Sequence, residues 1–239
     1  MSDTSKTTIF LAGATGAIGQ PLCRQLVAAG YRVVGTTRRE AKVPMLAALG
    51  VEPAVVDVYD AERLRDLMLA AQPQVVIHQL TDLAPLLDGT QTAETFAANA
   101  RLREVGTANL VAAATAAGAK RMIAESICFV YAPGPQPHRE EDPLSGNAHG
   151  VISLEQQVLN GPFVGIVLRY GNLYGPGTGV DSPPAGDPLH VEEAAAAAVL
   201  AVTRGRAGIY NIAAAGGSVT IDKAAAELGW RPARGSAEL

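Results

Sequence analysis

Short apolar runs alternate with longer segments of helical periodicity over the first two thirds of the chain. Each run has four or five residues and is largely apolar on both faces, as is typical of strands in a parallel sheet covered on two sides. We predict six strands, at residues 8–12, 32–35, 53–57, 74–78, 121–124 and 164–168. Helices are predicted at residues 18–30, 45–50, 61–71, 92–118, 153–160 and 192–203. This alternation predicts the α/β class, a doubly wound parallel sheet.

Two segments interrupt the alternation and are expected to be loops. Residues 132–150 contain four prolines among many turn-forming residues, and residues 175–189 have a similar composition. The residues after Trp230 are expected to form a loose tail. Outside these segments, the pattern indicates continuous secondary structure.

Composition narrows the class of protein. Hydrophobic residues make up 48% of the 239 positions and charged residues 18%, so we expect a packed core rather than a disordered chain. A net charge of −4 argues against a nucleic-acid partner and favours a small-molecule ligand. Two cysteines make no disulfide or metal-ligand pattern, and no apolar stretch is long enough for a membrane span. We therefore expect a cytoplasmic protein with neither a membrane nor a nucleic-acid partner.

The first strand runs into residues 13–19, which have the pattern GxxGxxG. One glycine permits a tight turn, the next lets the backbone approach a pyrophosphate, and the third lets the helix pack against the strand. The N-terminus of the following helix offers free N–H groups to the phosphates. We predict a Rossmann-type dinucleotide site that includes Gly13, Thr15, Gly16, Ala17, Ile18 and Gly19. The alternative is a structural turn that binds no ligand.

The end of the second strand indicates which dinucleotide binds. An NAD site usually has a carboxylate there for the adenosine ribose, but this chain has Thr37, Arg38 and Arg39. Two guanidinium groups suit a 2′-phosphate, so NADP(H) is predicted in preference to NAD(H). The alternative is an ordinary solvated pair of arginines.

Three further residues are predicted to contact the coenzyme. Asp57 and Val58, at the end of the third strand, are expected to line the adenine, with Asp57 accepting a hydrogen bond from its amino group. Leu80, which follows the fourth strand, is included in the same site. The alternative for Asp57 is that it caps the helix that begins near Ala61.

Several motifs resemble the extended short-chain dehydrogenase/reductase family, most closely its NAD-dependent epimerase/dehydratase branch. They are the glycine pattern at 13–19, Ser126 with Val130 and Tyr131, the LRYGNLYGP segment at 168–176, HVEEA at 190–194, YNI at 210–212 and LGWRP at 228–232. The resemblance runs through the whole chain in order. It implies one domain over residues 1–239, with a mostly dinucleotide-binding part at 1–168 and a small substrate-side part at 169–239.

The resemblance also implies roles for three residues and a state of assembly. Tyr170 and Gly171 would approach the nicotinamide ring, and Asn172 would face the substrate. The helices at 92–118 and 153–160 would form the seam of a homodimer, whose alternative is a monomer in which they only cover the sheet.

The chain departs from this family at its usual catalytic pair. The family uses a tyrosine four residues before a lysine, where the ammonium lowers the pKa of the phenol. None of the four lysines here follows a tyrosine at that spacing. With Glu155 aligned to the acidic residue that trails the motif, Asn147 takes the tyrosine position and Val151 the lysine position. The usual dyad is therefore absent.

Two hydroxyl-bearing residues remain as catalytic candidates. The usual serine position falls on Ile127, and Ser126 immediately precedes it, although neighbouring strand residues normally point to opposite faces. Tyr131 lies in the loop that follows. The structural alternatives are a strand-end hydroxyl bonded to backbone for Ser126, and aromatic packing of the loop for Tyr131. No residues have metal-ligand or Ser-His-Asp spacing, so no metal is predicted.

The segment between Pro176 and His190 is short compared with the nucleotide-sugar lid of this family, which favours a smaller substrate. Our leading hypothesis is an NADP(H)-dependent oxidoreductase that reduces a small carbonyl or enone. The alternatives are a non-catalytic NADP(H) sensor or partner module, which the missing dyad would suit, and a sugar epimerase or dehydratase, which the missing dyad opposes.

Overall fold

A computed structural model describes residues 6–81, 92–146 and 148–233, and it confirms the doubly wound parallel sheet. Seven parallel strands have the order β3-β2-β1-β4-β5-β6-β9. Their bounds are β1 Thr8–Ala12, β2 Arg32–Thr37, β3 Glu52–Val55, β4 Val75–His78, β5 Arg121–Ile127, β6 Val164–Tyr170 and β9 Gly208–Ile212; β7 (Asn172–Tyr174) and β8 (Pro188–His190) form a separate parallel pair. The strand order reverses between β1 and β4. In such sheets, ligands bind at the carboxyl ends of the strands beside this reversal.

Helices cover both faces of the sheet. One face carries α1 (Gly19–Ala28), α2 (Val43–Ala48) and α7 (Val191–Ala201), and the other carries α3 (Ala61–Ala71), α5 (Thr107–Ala116) and α6 (His149–Leu159). Helix α4 (Ala93–Arg101) continues into α5 through a π-helical turn, Leu102–Gly106, and a second π-helical turn, Ala224–Leu228, follows β9. Within the described ranges, no helix is both long and apolar enough to cross a membrane.

The core follows from the alternation of side chains along each strand. In β1, Ile9 and Leu11 pack on the face of α1 and α7, whereas Phe10 and Ala12 pack on the face of α3 and α5. Five alanines of α7 are fully buried, so this helix lies close to the sheet and to α1: Ala194, Ala195, Ala197, Ala198 and Ala201. Both faces of the strands are thereby removed from water, which accounts for their apolar composition.

Three strands are longer than the apolar pattern predicts, whereas β3 ends two residues earlier than predicted and β4 begins one residue later. β2 and β6 each continue two residues further than predicted, and β5 continues three residues further, to Ile127. The added residues of β5 and β6 include the polar residues Ser126 and Arg169. Both side chains donate hydrogen bonds to the buried carboxylate of Glu155, which allows these polar residues to remain in the sheet.

The last third of the chain contributes more structure than was predicted. Strands β7, β8 and β9 lie in segments where no strand was predicted, and β9 extends the main sheet beside β6. Asn211 interrupts the apolar pattern of β9, yet its side chain is buried and hydrogen bonded. Residues 169–233 therefore supply part of the sheet in addition to the loops at its edge.

Candidate functional site

A cleft of about 160 Å³ opens at the carboxyl edge of β1, β2 and β4, beside the reversal of strand order. Its walls come from the glycine turn after β1, the end of β2, the residues after β3 and β4, helix α3, and the π-helical turn with the helix α5 that follows it. They are Ala12, Gly13, Thr15, Gly16, Thr36, Thr37, Arg38, Val56, Val58, Tyr59, Leu64, Gln79, Leu80, Thr81, Leu102 and Leu110. Seven residues predicted from the sequence to bind coenzyme therefore share one cavity: Gly13, Thr15, Gly16, Thr37, Arg38, Val58 and Leu80.

The three glycines of the turn have different environments. Gly13 has φ +91°, and a Cβ there would lie 2.5 Å from the backbone oxygen of Gln79. A Cβ on Gly19 would collide with the backbone oxygen of Gly13, so this glycine permits the close contact between α1 and β1. A Cβ on Gly16 would meet only the Gly13 oxygen, at 3.4 Å, which leaves room for a ligand to approach its backbone. Each geometry matches one requirement of a pyrophosphate-binding turn.

The remaining residues of the turn lie beside the cleft. Ile18 is buried in the core. Ala17 lines a second cavity of about 170 Å³ between α1 and the loop after β7.

The end of β2 presents one arginine to the cleft. Arg38 is exposed and lines the cavity, whereas Arg39 is exposed but does not line it. The backbone N–H of Arg39 donates to the Thr37 hydroxyl, at 3.2 Å, which fixes the turn. Neither guanidinium forms an ion pair within the part of the chain that the structure describes. Arg38 is thus the better-placed cation for a phosphate in the cleft.

The residues after β3 divide between lining the cleft and ordering the loop. Val58 and Tyr59 line the cleft, but Asp57 points to solvent and accepts a hydrogen bond from the backbone N–H of Tyr59, at 2.9 Å. Asp60, rather than Asp57, caps α3 by accepting from the N–H of Arg63. The alternative role for Asp57 as a helix cap is therefore wrong.

The residues predicted for the nicotinamide side lie deeper in the protein. Tyr170 is buried among core residues, and its hydroxyl accepts from Gln79 Nε2 at 3.2 Å and donates to the Ala194 carbonyl. Gly171 lies against the backbone oxygen of Asp187, where a Cβ would not fit. Asn172 is half-buried and donates to the Ala185 carbonyl at 3.4 Å.

Ser126 belongs to a buried ion-pair network. Its hydroxyl donates to Glu155 Oε1 at 2.7 Å, and Arg169 holds both oxygens of the same carboxylate, from Nε at 2.8 Å and from Nη2 at 2.7 Å. Arg169 and Glu155 are only 2% and 4% exposed. Since Glu155 accepts three bonds, Ser126 has a structural partner and the α6–β6 contact is fixed by charge-assisted hydrogen bonds.

Tyr131 joins the other side of this network. Its hydroxyl accepts from Arg169 Nη1 at 2.8 Å and donates to Asn211 Oδ1 at 2.7 Å, while its ring stacks on His138 with centroids 4.9 Å apart. Burial raises the pKa of the Tyr131 phenol to about 12, although Arg169 opposes the shift. A phenol with this pKa stays protonated at neutral pH, and its hydroxyl is already engaged in two hydrogen bonds. Tyr131 is therefore a poor general acid or base at neutral pH.

The sequence reasoning missed this network and a second buried charge. Glu125, in β5, is 3% exposed, and burial raises its pKa to about 7 against the opposing effect of Arg103. The available signal was the presence of charged residues inside predicted buried elements: Glu125 directly after the apolar run of β5, and Arg169 after that of β6. Charges at such positions are almost never buried unless they are paired.

Neither a catalytic dyad nor a metal site is formed by the residues that the structure describes. Val151 lies buried in the apolar face of α6, and Asn147 lies outside the described residues. Among the residues that the structure describes, no three His, Cys, Asp or Glu side chains come together as a metal site.

Comparison with known proteins gives one family match and one relative that spans nearly the whole chain. The model of the NAD dependent epimerase/dehydratase family matches residues 9–186. A Streptomyces protein, 3-diazoavenalumate denitrifying reductase, is 38% identical over 253 residues, which cover 94% of this chain and 79% of the relative. Sterol demethylase protein B of Methylococcus capsulatus is 31% identical over 129 residues, covering 54% of this chain and 37% of that protein.

Solved structures match the fold at lower identity. UDP-glucose 4-epimerase of Thermotoga maritima, solved with UDP-glucose, has a TM-score of 0.78 at 19% identity and covers 95% of this chain and 94% of its own. The Bordetella bronchiseptica enzyme WbmG, solved with NAD, has a TM-score of 0.76 at 19% identity, with coverage of 97% and 90%. At this identity, the likeness supports the architecture described above.

Proposed function

Because the chain belongs to the NAD-dependent epimerase/dehydratase family, we propose that it is an NADP(H)-dependent reductase of a small carbonyl- or enone-type acceptor. The observation that carries the proposal is the cleft at the strand reversal, where a pyrophosphate-type glycine turn and an exposed arginine line the same cavity. The relative that covers 94% of the chain is itself called a reductase, which favours net reduction over epimerisation.

The residues of the cleft suit each part of the coenzyme. The open side of Gly16 and the backbone of Gly13 and Thr15 would hold the pyrophosphate near the start of α1. Val58 and Tyr59 would pack on the adenine. Arg38, which has no ion-pair partner in the described ranges, would bind the 2′-phosphate of NADP(H) through charge-assisted hydrogen bonds. When bound, the coenzyme supplies the hydride.

The acceptor is proposed to be small because the loop over the substrate side is short. Residues 175–187 connect β7 to β8, and part of this loop closes on itself: Gly175 pairs with Val180, and the Thr178 hydroxyl donates to the Gly175 carbonyl at 2.7 Å. Little of this loop is left to enclose a second nucleotide. The half-buried Tyr131 and the buried Ser126 would support the substrate side through the Arg169 network.

A diazo compound is a second candidate acceptor, favoured by the substrate in the name of the Streptomyces relative. Reduction of a diazo carbon requires a hydride and a proton and releases dinitrogen, so it makes the same demands on the protein as reduction of a carbonyl. Both acceptor types therefore predict the same coenzyme and the same need for a proton source.

The test is NADPH oxidation, followed at 340 nm with a panel of aldehydes, ketones, enones, quinones and stable diazo ketones, together with calorimetric binding of NADPH and NADH. We expect turnover with at least one acceptor class and tighter binding of NADPH than of NADH. Tight NADPH binding without turnover on any acceptor would support a sensor instead, and no binding of either coenzyme would refute the proposal.

The arginine assignment has a matched pair of variants. Arg38→Ala should weaken NADPH binding about 10-fold while changing NADH binding less than about twofold, because one exposed charge-assisted contact is lost. Arg39→Ala, which removes a neighbouring charge outside the cavity, should have a smaller effect. Equal losses for NADPH and NADH in Arg38→Ala would refute the 2′-phosphate assignment.

A further inference from the structure

Two residues at the carboxyl edge of β4 and β5, and an arginine that approaches one of them, have buried polar atoms without hydrogen-bond partners in the described part of the chain. These atoms are Gln79 Oε1, Arg103 Nε and Glu125 Oε1, and they are three of the four such side-chain atoms in the described ranges. A buried polar atom normally has a partner, because leaving it unpaired costs the free energy of removing it from water. Such a set of residues therefore points to a site that a ligand or a proton completes.

The register of the sheet places Glu125 beside the cleft. His78 pairs with Ala124, so Gln79, which follows β4, lies next to Glu125 on the adjacent strand. Parallel strands lie about 4.8 Å apart, which brings these two side chains onto the same face as neighbours. Gln79 also lines the cleft and bonds to Tyr170. Glu125 is therefore one side chain away from the cavity wall.

Arg103 reaches Glu125 from the π-helical turn between α4 and α5. Its Nη2 is 3.7 Å from Glu125 Oε1, too far for a hydrogen bond, whereas the Arg169–Glu155 pair has two bonds of 2.7 and 2.8 Å. Single π-helical turns within α-helices occur frequently at functional sites. The Glu125 carboxyl group therefore lies near the Arg103 cation, while its Oε1 atom forms no hydrogen bond and can carry a proton.

Within the described ranges, Arg103 and Tyr170 are the titratable groups that interact with Glu125. Arg103 opposes the effect of burial, and the balance leaves the carboxyl with a pKa of about 7. His78, from β4, has its pKa lowered to about 3 by burial and by Arg103, so it is neutral at pH 7. Burial raises the pKa of Tyr170, from β6, which therefore keeps its proton. Glu125 thus exchanges a proton near pH 7 while these two neighbours do not.

We propose that Glu125 is the acid that supplies the proton accompanying hydride transfer, with Arg103 as its positioning residue. This rests on the proposed reductase function. In the reduction of a carbonyl, the carbon gains a hydride from the reduced coenzyme and the oxygen gains the Glu125 proton, which yields an alcohol, oxidised coenzyme and the Glu125 carboxylate. The carboxylate regains its proton from solvent before the next turnover.

The proposal predicts that the redox state of the coenzyme is linked to a proton. The oxidised nicotinamide carries a positive charge that the reduced ring lacks, and a nearby cation favours the ionised form of a carboxyl group. Binding of NADP⁺ should therefore release up to about half a proton per site at pH 7, where Glu125 is about half protonated. Binding of NADPH should release less, and the contribution of the 2′-phosphate is common to both.

The experiment is titration calorimetry of NADP⁺ and NADPH at pH 7 in buffers of different ionisation enthalpy, which counts the protons released. We expect a difference between the two coenzymes in the wild-type protein and in Glu104→Gln, an exposed control on the same π-helical turn. Glu125→Gln should bind both coenzymes but lose the difference. Glu125→Asp should retain it, with a shifted pH of maximal release.

The outcomes separate this inference from the proposed function. Equal proton release with NADP⁺ and NADPH in the wild-type protein, or a difference that persists in Glu125→Gln, would overturn the role of Glu125 while leaving coenzyme binding intact. Failure of the wild-type protein to bind either coenzyme would refute the reductase function itself. If Glu125→Gln does not fold, Arg103→Gln provides the second test: it should move the pH of maximal release upward, and an unchanged pH would overturn the inference.

Discussion

Removing one partner of the Arg169–Glu155 pair should destabilise the protein more than replacing both partners with apolar residues. Glu155→Leu would leave the Arg169 guanidinium buried without its two carboxylate bonds and would deprive the Ser126 hydroxyl of its acceptor. An unpaired buried charge costs about 3–5 kcal/mol, and the orphaned hydroxyl adds about 1 kcal/mol. We therefore expect a loss of about 4–6 kcal/mol in the free energy of unfolding.

In the double variant Glu155→Leu/Arg169→Met, neutral groups lose their partners, but neither substituted position leaves an unpaired charge behind. Tyr131 keeps its bond to Asn211, and the Glu140 carbonyl loses its bond from Arg169. The double variant should therefore be more stable than Glu155→Leu alone, with a coupling energy of at least about 2 kcal/mol between the two sites. Urea unfolding at pH 7, monitored by circular dichroism, measures all four corners of the cycle.

A surface pair of similar geometry serves as the control. Arg32 and Glu52 also form two short bonds, at 2.7 and 2.6 Å, but their side chains are about half exposed. The cycle with Arg32→Met and Glu52→Leu should give a coupling energy below about 1 kcal/mol. Equal coupling in the two cycles, or additive losses at Arg169 and Glu155, would refute the argument that burial makes the difference.

Three further predictions test the site. Gly16→Ala should keep its melting temperature but weaken NADPH binding, whereas Gly19→Ala, whose Cβ meets the Gly13 oxygen, should lose about 1–3 kcal/mol of stability in thermal unfolding. Tyr131→Phe should lose about 1 kcal/mol in urea unfolding while the calorimetric Kd for NADPH stays unchanged, since its hydroxyl serves the buried network. Burial raises the pKa of Glu125 from 4.5 to about 7, so the folded state holds its proton more tightly; stability conferred by the neutral form is lost as pH rises through this range. Relative to Glu125→Gln, the wild-type protein should lose up to about 3 kcal/mol between pH 4.5 and 7, and parallel pH profiles would contradict this.

The elements predicted most accurately from the sequence are those whose stability is local. β1 and α3 have the predicted bounds, because a continuous apolar run or an amphipathic repeat with Asp60 as its cap determines them. The glycine turn was also predictable, since its three glycines have backbone requirements that follow from the adjoining strand and helix. In each case the determining residues are neighbours in the chain.

The parts that were missed depend on residues far apart in the chain. β5 continues through Ser126 because Glu155, 29 positions away, accepts a hydrogen bond from the Ser126 hydroxyl. β9 includes Asn211 because the Tyr131 hydroxyl, 80 positions away, donates to its side chain. Hydrophobic periodicity records only whether a position is apolar, so it cannot show that a polar residue is buried with a partner.

The positions of the remaining charges give the proposed reductase a distinctive pH dependence. Val151 stands in α6 where the family has its catalytic lysine, so this position carries no ammonium group. Glu155, on the same helix, is paired with Arg169. Under our proposals, the acid for reduction lies instead on β5, at Glu125. Because only its protonated form can donate, kcat for NADPH oxidation should fall about tenfold per pH unit above pH 7, and Glu125→Gln should lack this limb. Measuring kcat from pH 6 to 9 with a carbonyl acceptor tests this, and a wild-type kcat that stays level to pH 9 would mean that the proton comes from another source.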